Sequence, residues 1–177
     1  MKQLVLLLMF STFLTPVFGQ GYDIGVEFQA YPTGYMPGVR LERNFGTRHA
    51  LHLRVGANIF DHRDWGKHLR ERGAGVGFTL GYKRYFSEGH EGLFLGLRND
   101  IWWNQVDWGR DNGLPSEGTT KITVVQPTVE GGYTFVKNHF FWTPSLGFGF
   151  EINAVTDGEP TGEGAILLAG LIVGYRF

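Results

Sequence analysis

From residue 22 onward apolar side chains recur at every second position in short runs, and clusters of Gly, Pro, Asn and Asp separate one run from the next. A strand imposes that period, because successive side chains leave opposite faces of the pleat. Eight runs are read: Tyr22–Tyr31, Pro37–Phe45, Ala50–Phe60, Ala74–Phe86, Leu93–Val106, Lys121–Phe135, Phe140–Val155 and Gly164–Phe177. None of the chain beyond residue 20 carries a sustained helical period. The runs hold roughly 9 to 16 residues, whereas a tilted strand crosses hydrocarbon in roughly 9–11 and a globular strand has roughly 5–6. The expected fold is all-β, an eight-stranded antiparallel up-and-down transmembrane β-barrel.

The connections alternate in length. Short ones follow runs two, four and six (Gly46 to His49, Ser87 to Gly92, Val136 to His139). Longer ones follow runs three, five and seven (Asp61 to Gly73, Asp107 to Thr120, Thr156 to Glu163), with a modest one at Pro32 to Met36. Outer-membrane barrels show this asymmetry, with turns facing the periplasm and loops facing outward.

Alternation does not say which face is the outside; side-chain volume does. One face carries rings and branched chains, among them Val26, Phe28, Leu53, Val76, Leu97, Phe148 and Leu171. The opposite face carries glycines, among them Gly25, Gly56, Gly77, Gly81, Gly147 and Gly174. The lumen of eight strands just accommodates packed side chains, so the bulky face is expected against lipid and the glycine face inside.

Nine charges share the glycine face: Arg40, Arg54, Lys83 and Arg98 against Glu27, Glu42, Asp100, Glu130 and Glu151. Charges in so tight a space are tolerated when paired, so a plugged lumen is expected and an open pore is not. Gln29, Asn44, Asn58, Thr79, Gln126, Thr128 and Ser145 are the expected polar companions. Arg43 and Arg84 fall on the lipid face two residues from the turn end, within reach of head groups. Asn99, mid-run between Leu97 and Ile101, is read as a β-bulge, and Pro127 as a second ladder irregularity. Because hydrocarbon offers no partner to a free sheet edge, run eight is expected to pair with run one.

Composition adds an address and some exclusions. Lys2, the apolar stretch Leu4 to Leu14 and the small residue Gly19 form an expected signal peptide over residues 1–19, leaving 20–177 as the barrel. The stretch is too short for a membrane-spanning helix. There is no cysteine, which excludes a disulfide scaffold, a lipidated Cys and a thiolate metal site. A net charge of −1 gives no basic footprint for nucleic acid. The 27 Gly and 15 Phe fit bare inner backbone beneath an aromatic exterior.

The closing segment Leu171-Ile172-Val173-Gly174-Tyr175-Arg176-Phe177 resembles the last strand of outer-membrane β-barrel proteins. With the eight runs, the chain resembles the small barrels of the OmpA transmembrane and OmpX type across its mature length, as an architecture. The resemblance implies that Tyr175 and Phe177 form the signal read by the barrel assembly machinery. The peptidoglycan-binding domain of the OmpA type is not expected, because the last run ends at Phe177.

Candidate sites are few. Lipid A deacylases and palmitoyltransferases are also eight-stranded and use Ser, His and an acid near the outer leaflet. No His here has a Ser two residues away, and the nearest set, His139, Ser145 and Glu151, is spread along run seven with His139 at a periplasmic turn. Arg63, Lys67, His68, Arg70 and Arg72 surround Trp65 in an outer loop and are candidate contacts for lipopolysaccharide phosphates. Trp102, Trp103, Trp108 and Trp142 are read as interfacial girdles. Asp107, Asp111 and Glu117 offer oxygens without the ordered spacing of a calcium motif. The leading expectation is a structural or surface-binding outer-membrane barrel, needing no cofactor or metal, whose partners are membrane lipid, lipopolysaccharide or a surface protein. A lipid A-modifying hydrolase and a narrow solute channel are the alternatives.

Overall fold

In the computed structural model, which describes residues 21–62, 70–109 and 118–177, eight strands follow one another in chain order. They are β1 (Tyr22–Tyr31), β2 (Gly34–Phe45), β3 (His49–His62), β4 (Arg70–Tyr85), β5 (Gly92–Gly109), β6 (Gly118–Lys137), β7 (Phe140–Asp157) and β8 (Gly164–Arg176). Each is antiparallel to the next and β8 returns to β1, so the sheet closes. Val26 of β1 is flanked by Val39 of β2 on one side and Val173 of β8 on the other. Residues 1–19, read as a signal peptide, lie outside the described part.

Exposure settles the faces: Val26 is 64% exposed and its chain neighbour Glu27 is 1% exposed. Phe28, Leu53, Val76, Leu97, Phe148 and Leu171 are likewise exposed, while Arg40, Arg54, Lys83 and Asp100 are buried. Such an exterior is the reverse of a soluble protein's. Arg43 and Arg84 are exposed near the turn end, and the Arg43 guanidinium lies 5.7 Å from the Tyr22 ring centre.

Several strands run beyond the periodic segments. β4 starts at Arg70 instead of Ala74, β5 continues to Gly109, and β6 opens at Gly118. Outside the apolar band both faces are polar, so the period fades while the backbone ladder continues, as in Asp61 opposite Arg72 and His62 opposite Glu71. The connection after β1 shrinks to the two-residue turn Pro32-Thr33, because Tyr31 pairs directly with Gly34. At the other end, Gly46 (φ 59°) and Asn138 (φ 59°) occupy the left-handed region that tight turns demand.

Asn99 forms no bulge. It sits in register with Leu80 and with Pro127. The assumption that fails is that every outward residue is apolar; the ladder itself is regular there. The register shifts instead between Thr123 and Val124, where Val124 faces Asn153, Thr123 faces Val155, and Ala154 is the extra residue. Pro127 does interrupt pairing, but on one side only. It keeps Asn99 as partner on β5, while Gln126 and Pro127 have no register partner on β7. Pro37 behaves alike toward β3, and Pro144 toward β6. A residue without an N–H forfeits the ladder on the side its nitrogen faces and leaves the other intact.

The seam between first and last strands has its own side-chain clasp. Arg176 donates from Nε and Nη2 to the two carboxylate oxygens of Asp23 at 2.8 and 2.7 Å, and it also donates to the carbonyls of Gly89 and His90 at 3.1 and 3.0 Å. Asp23 is buried, so removing its partner strands a desolvated carboxylate. Arg176→Ala is expected to cost about 3 kcal/mol, the low end for a broken buried pair. Urea unfolding in detergent micelles measures it, with Arg176→Lys expected to recover part of the loss.

Candidate functional site

The lumen is filled in layers. Nearest the short turns lie Ala50, Tyr85 and Phe94, fully buried and mutually packed. Above them sits an ionic layer built from six strands, β1 to β6. Glu27 of β1 lies 2.8 Å from Arg40 Nε, 3.4 Å from Arg54 Nη1 and 3.5 Å from Arg98 Nη1. Asp100 of β5 meets Arg54 Nη2 at 3.0 Å and Arg98 Nε at 3.3 Å, and accepts a hydrogen bond from Thr79. Glu42 of β2 meets Lys83 Nζ at 2.8 Å and Arg40 Nη1 at 3.8 Å. Glu130 of β6 completes the set with Arg98 at 3.6 Å and Arg40 at 3.9 Å.

Four cations thus face four anions with no water-facing side. Neutral groups satisfy remaining donors and acceptors: Arg98 Nη2 donates to Gln29 at 2.8 Å and Arg54 Nε to Thr79 at 3.1 Å, while the Tyr85 hydroxyl donates to Glu42 at 3.1 Å. Ring faces take others, with the Arg54 guanidinium 5.2 Å from the Trp102 ring centre and Lys83 Nζ 4.6 Å from that of Phe94. His52, not among the residues expected in the inner network, accepts from Arg40 Nη2 at 3.0 Å. Its inward parity was available in the sequence, but a neutral imidazole carries no charge to flag it.

Glycine makes this density attainable. A Cβ on Gly81 would strike the His52 ring, and one on Gly77 would strike the Trp102 ring and the Ile101 carbonyl.

Glu151 is not a member of the ionic layer. It faces inward, as its position in β7 requires, but pairs with Gly164 at the first residue of β8, near the opening opposite the short turns. There it lines a cavity of about 190 Å³ together with Tyr31, Asn58, His62, Glu71 and Asn104. Alternation fixes the side on which a residue points and says nothing of its height. Tyr31 donates to Asn58 at 2.6 Å, and His62 lies 3.4 Å from Glu71 in the same cavity.

Between cavity and ionic layer lies an apolar plug that includes Met36, Phe60, Trp102, Val124, Ile166 and Leu168. Trp102 therefore belongs to the interior, at 0% exposure, and not to the outer girdle. Consecutive strand residues cannot share a face, so of the pair only Trp103 looks out. Trp108 is half-buried and donates to Thr120 at 3.2 Å. Trp142 is exposed at the turn end, stacked 4.0 Å from Phe135.

At the rim opposite the short turns, Arg70 and Arg72 stand on β4 and not in a loop. Arg70 grips the Asp61 carboxylate with both arms, at 2.8 and 2.5 Å. Arg72 is exposed, in register between Asp61 and Asp107. Arg63, Trp65, Lys67 and His68 lie outside the described residues, as do Asp111 and Glu117. Asp107 accepts from Thr119 at 2.7 Å. The set His139, Ser145 and Glu151 does not assemble: His139 bonds the Arg176 carbonyl at the turn end, about 40 Å of strand from Glu151. Tyr175 stacks on His139 and meets Phe140 and Phe177 edge-on, and Phe177 bonds Tyr22 through its backbone.

A closed antiparallel barrel of eight strands, with rings outside and charges within, has the fold of the small outer-membrane barrels. Solved structures carry that likeness. The N-terminal β-barrel domain of Pseudomonas aeruginosa OprF is similar at 18% identity and a TM-score of 0.52, covering 90% of this chain and 99% of that one. The attachment invasion locus protein Ail of Yersinia pestis, solved in complex with the heparin analogue sucrose octasulfate, is similar at 10% identity and a TM-score of 0.54, covering 90% of this chain and 100% of that one. No protein-family model matches the sequence, and no curated protein does.

Arg54 touches both Glu27 and Asp100 and is fully buried. Arg54→Ala is expected to destabilise the barrel by about 3–5 kcal/mol, since it leaves carboxylates unpaired inside. Arg54→Ala combined with Asp100→Asn is expected to cost less than the single change. Unfolding free energies of the two variants in detergent decide it.

Proposed function

We propose that the protein is an integral outer-membrane barrel, exported by residues 1–19, whose lumen is sealed and whose work is done at its outer rim. The observation that carries this reading is the stack inside the barrel: an ionic layer with balanced charge beneath an apolar plug. A permeating ion would have to displace paired charges and then cross a dry layer, both costly. The exterior supports the location, because its exposed apolar side chains have no other solvent than acyl chains. Tyr175 and Phe177 serve in this reading as the assembly signal.

The ligand class follows from the rim. Arg72 is exposed on β4, Arg70 is held beside it by Asp61, and Arg63 and Lys67 shortly precede them in sequence. Guanidinium groups there suit phosphate or sulfate esters, which they can engage with paired donors. Lipopolysaccharide phosphates are such esters in the outer leaflet, and the Ail barrel was solved with a polysulfated sugar.

Planar-bilayer recordings of the wild-type protein are expected to show no discrete single-channel openings; openings in the purified protein would overturn the sealed lumen. Independently, Arg70→Ala with Arg72→Ala is expected to reduce co-purified lipopolysaccharide severalfold while leaving the amount of folded barrel unchanged. Equal lipid content in variant and wild type would sink the rim assignment.

A further inference from the structure

Asn99 is the odd residue on the outside of the barrel. The outward row of β5 reads Leu93, Leu95, Leu97, Asn99, Ile101, Trp103, so the amide lies within the apolar belt and away from both polar ends. Its cross-strand neighbours are Leu80 and Pro127, which offer no side-chain hydrogen bond. Among the described residues no partner engages the Asn99 amide. The backbone cannot serve it either, because the β4–β5 and β5–β6 ladders run through this position without a break. In hydrocarbon an amide without a partner is costly, and its donors and acceptor must be met from another molecule.

We propose that the β4–β6 wall is a self-association surface, on which Asn99 of one copy pairs with Asn99 of a second. This rests on the membrane reading above. Two arguments select a second copy as occupant. An amide is donor and acceptor at once, so a like amide returns both bonds, which an acyl chain cannot do. The groove that Asn99 shares with Leu53, Leu80 and Leu97 is also lined by Arg43 at the turn end, so a phospholipid held by that guanidinium would lay only methylenes against Asn99. The second argument is symmetry. Two barrels inserted with the same polarity are related by a twofold axis along the membrane normal, and that axis sets each residue opposite its own counterpart at one depth. Closure of the sheet leaves no free edge, so side chains carry the contact.

The absence of cysteine makes the test direct. Leu97→Cys places a single thiol beside Asn99, and Val26→Cys places one on the opposite wall. Each variant is reconstituted in phosphatidylcholine vesicles at high lipid-to-protein ratio, recovered by flotation, and treated with a short bismaleimide. Linked dimer is expected from Leu97→Cys and not from Val26→Cys. Adding Asn99→Leu to Leu97→Cys is expected to weaken dimerisation about tenfold, the scale of one amide contact between membrane segments. Adding Asn99→Gln is expected to preserve it. Removing the amide from lipid should not harm folding, so floated protein remains available for measurement. Floated protein that links equally at both sites, or that is indifferent to Asn99→Leu, overturns the proposal while leaving the membrane reading intact. Protein that fails to float sinks the membrane reading instead.

Discussion

A sheet acquires an inside only when its last strand finds its first. The pairing of β8 with β1, from Asp23 opposite Arg176 to Ala30 opposite Ala169, is the constraint on which every other feature here depends. Without it the two faces would be exchangeable and the Asp23–Arg176 clasp would have no seam to span. Once it forms, eight strands leave a bore so narrow that bulk on the inner face must be balanced by glycine on facing positions. Gly77 under Trp102 and Gly81 under His52 are two instances.

The ionic layer follows from that geometry and contributes specificity more than net stability. Taking eight charged groups out of water costs much of what their mutual attraction returns. The shared contacts, with Glu27 meeting three guanidinium groups and Arg98 meeting three carboxylates, penalise any slip in register that would separate them. A strand displaced by one residue would also turn its rings inward and its charges to the exterior. Inner charges and outer rings therefore select the same register from opposite sides.

Strand number, strand order along the chain and inward or outward facing were legible in the sequence because each rests on period two, which 156 residues of barrel repeat without competition from helix. Height was not. Glu27 and Glu151 have the same inward parity, yet one sits in the ionic layer and the other at the outer cavity, since height depends on register and tilt, which residue types do not encode. Trp102 was assigned by residue type to an interface, when its parity relative to Trp103 already pointed it inward. The Asp23–Arg176 clasp joins residues at opposite ends of the chain, and only closure brings them together. The extension of β4 back to Arg70 escaped because polar residues on both faces erase the period while the ladder persists.

The three prolines within strands leave a further mark on the molecule. Pro37 interrupts β2 against β3, whereas Pro127 and Pro144 interrupt β6 against β7 from opposite strands, and the β4–β5 and β5–β6 ladders have no such break. Backbone continuity around the circumference is therefore uneven, and the β6–β7 line, which also carries the Thr123/Val124 register shift, is the joint interrupted most often. A wall joined in this way has gaps in its backbone bonding along that line, while the β4–β6 panel is pinned by unbroken pairing.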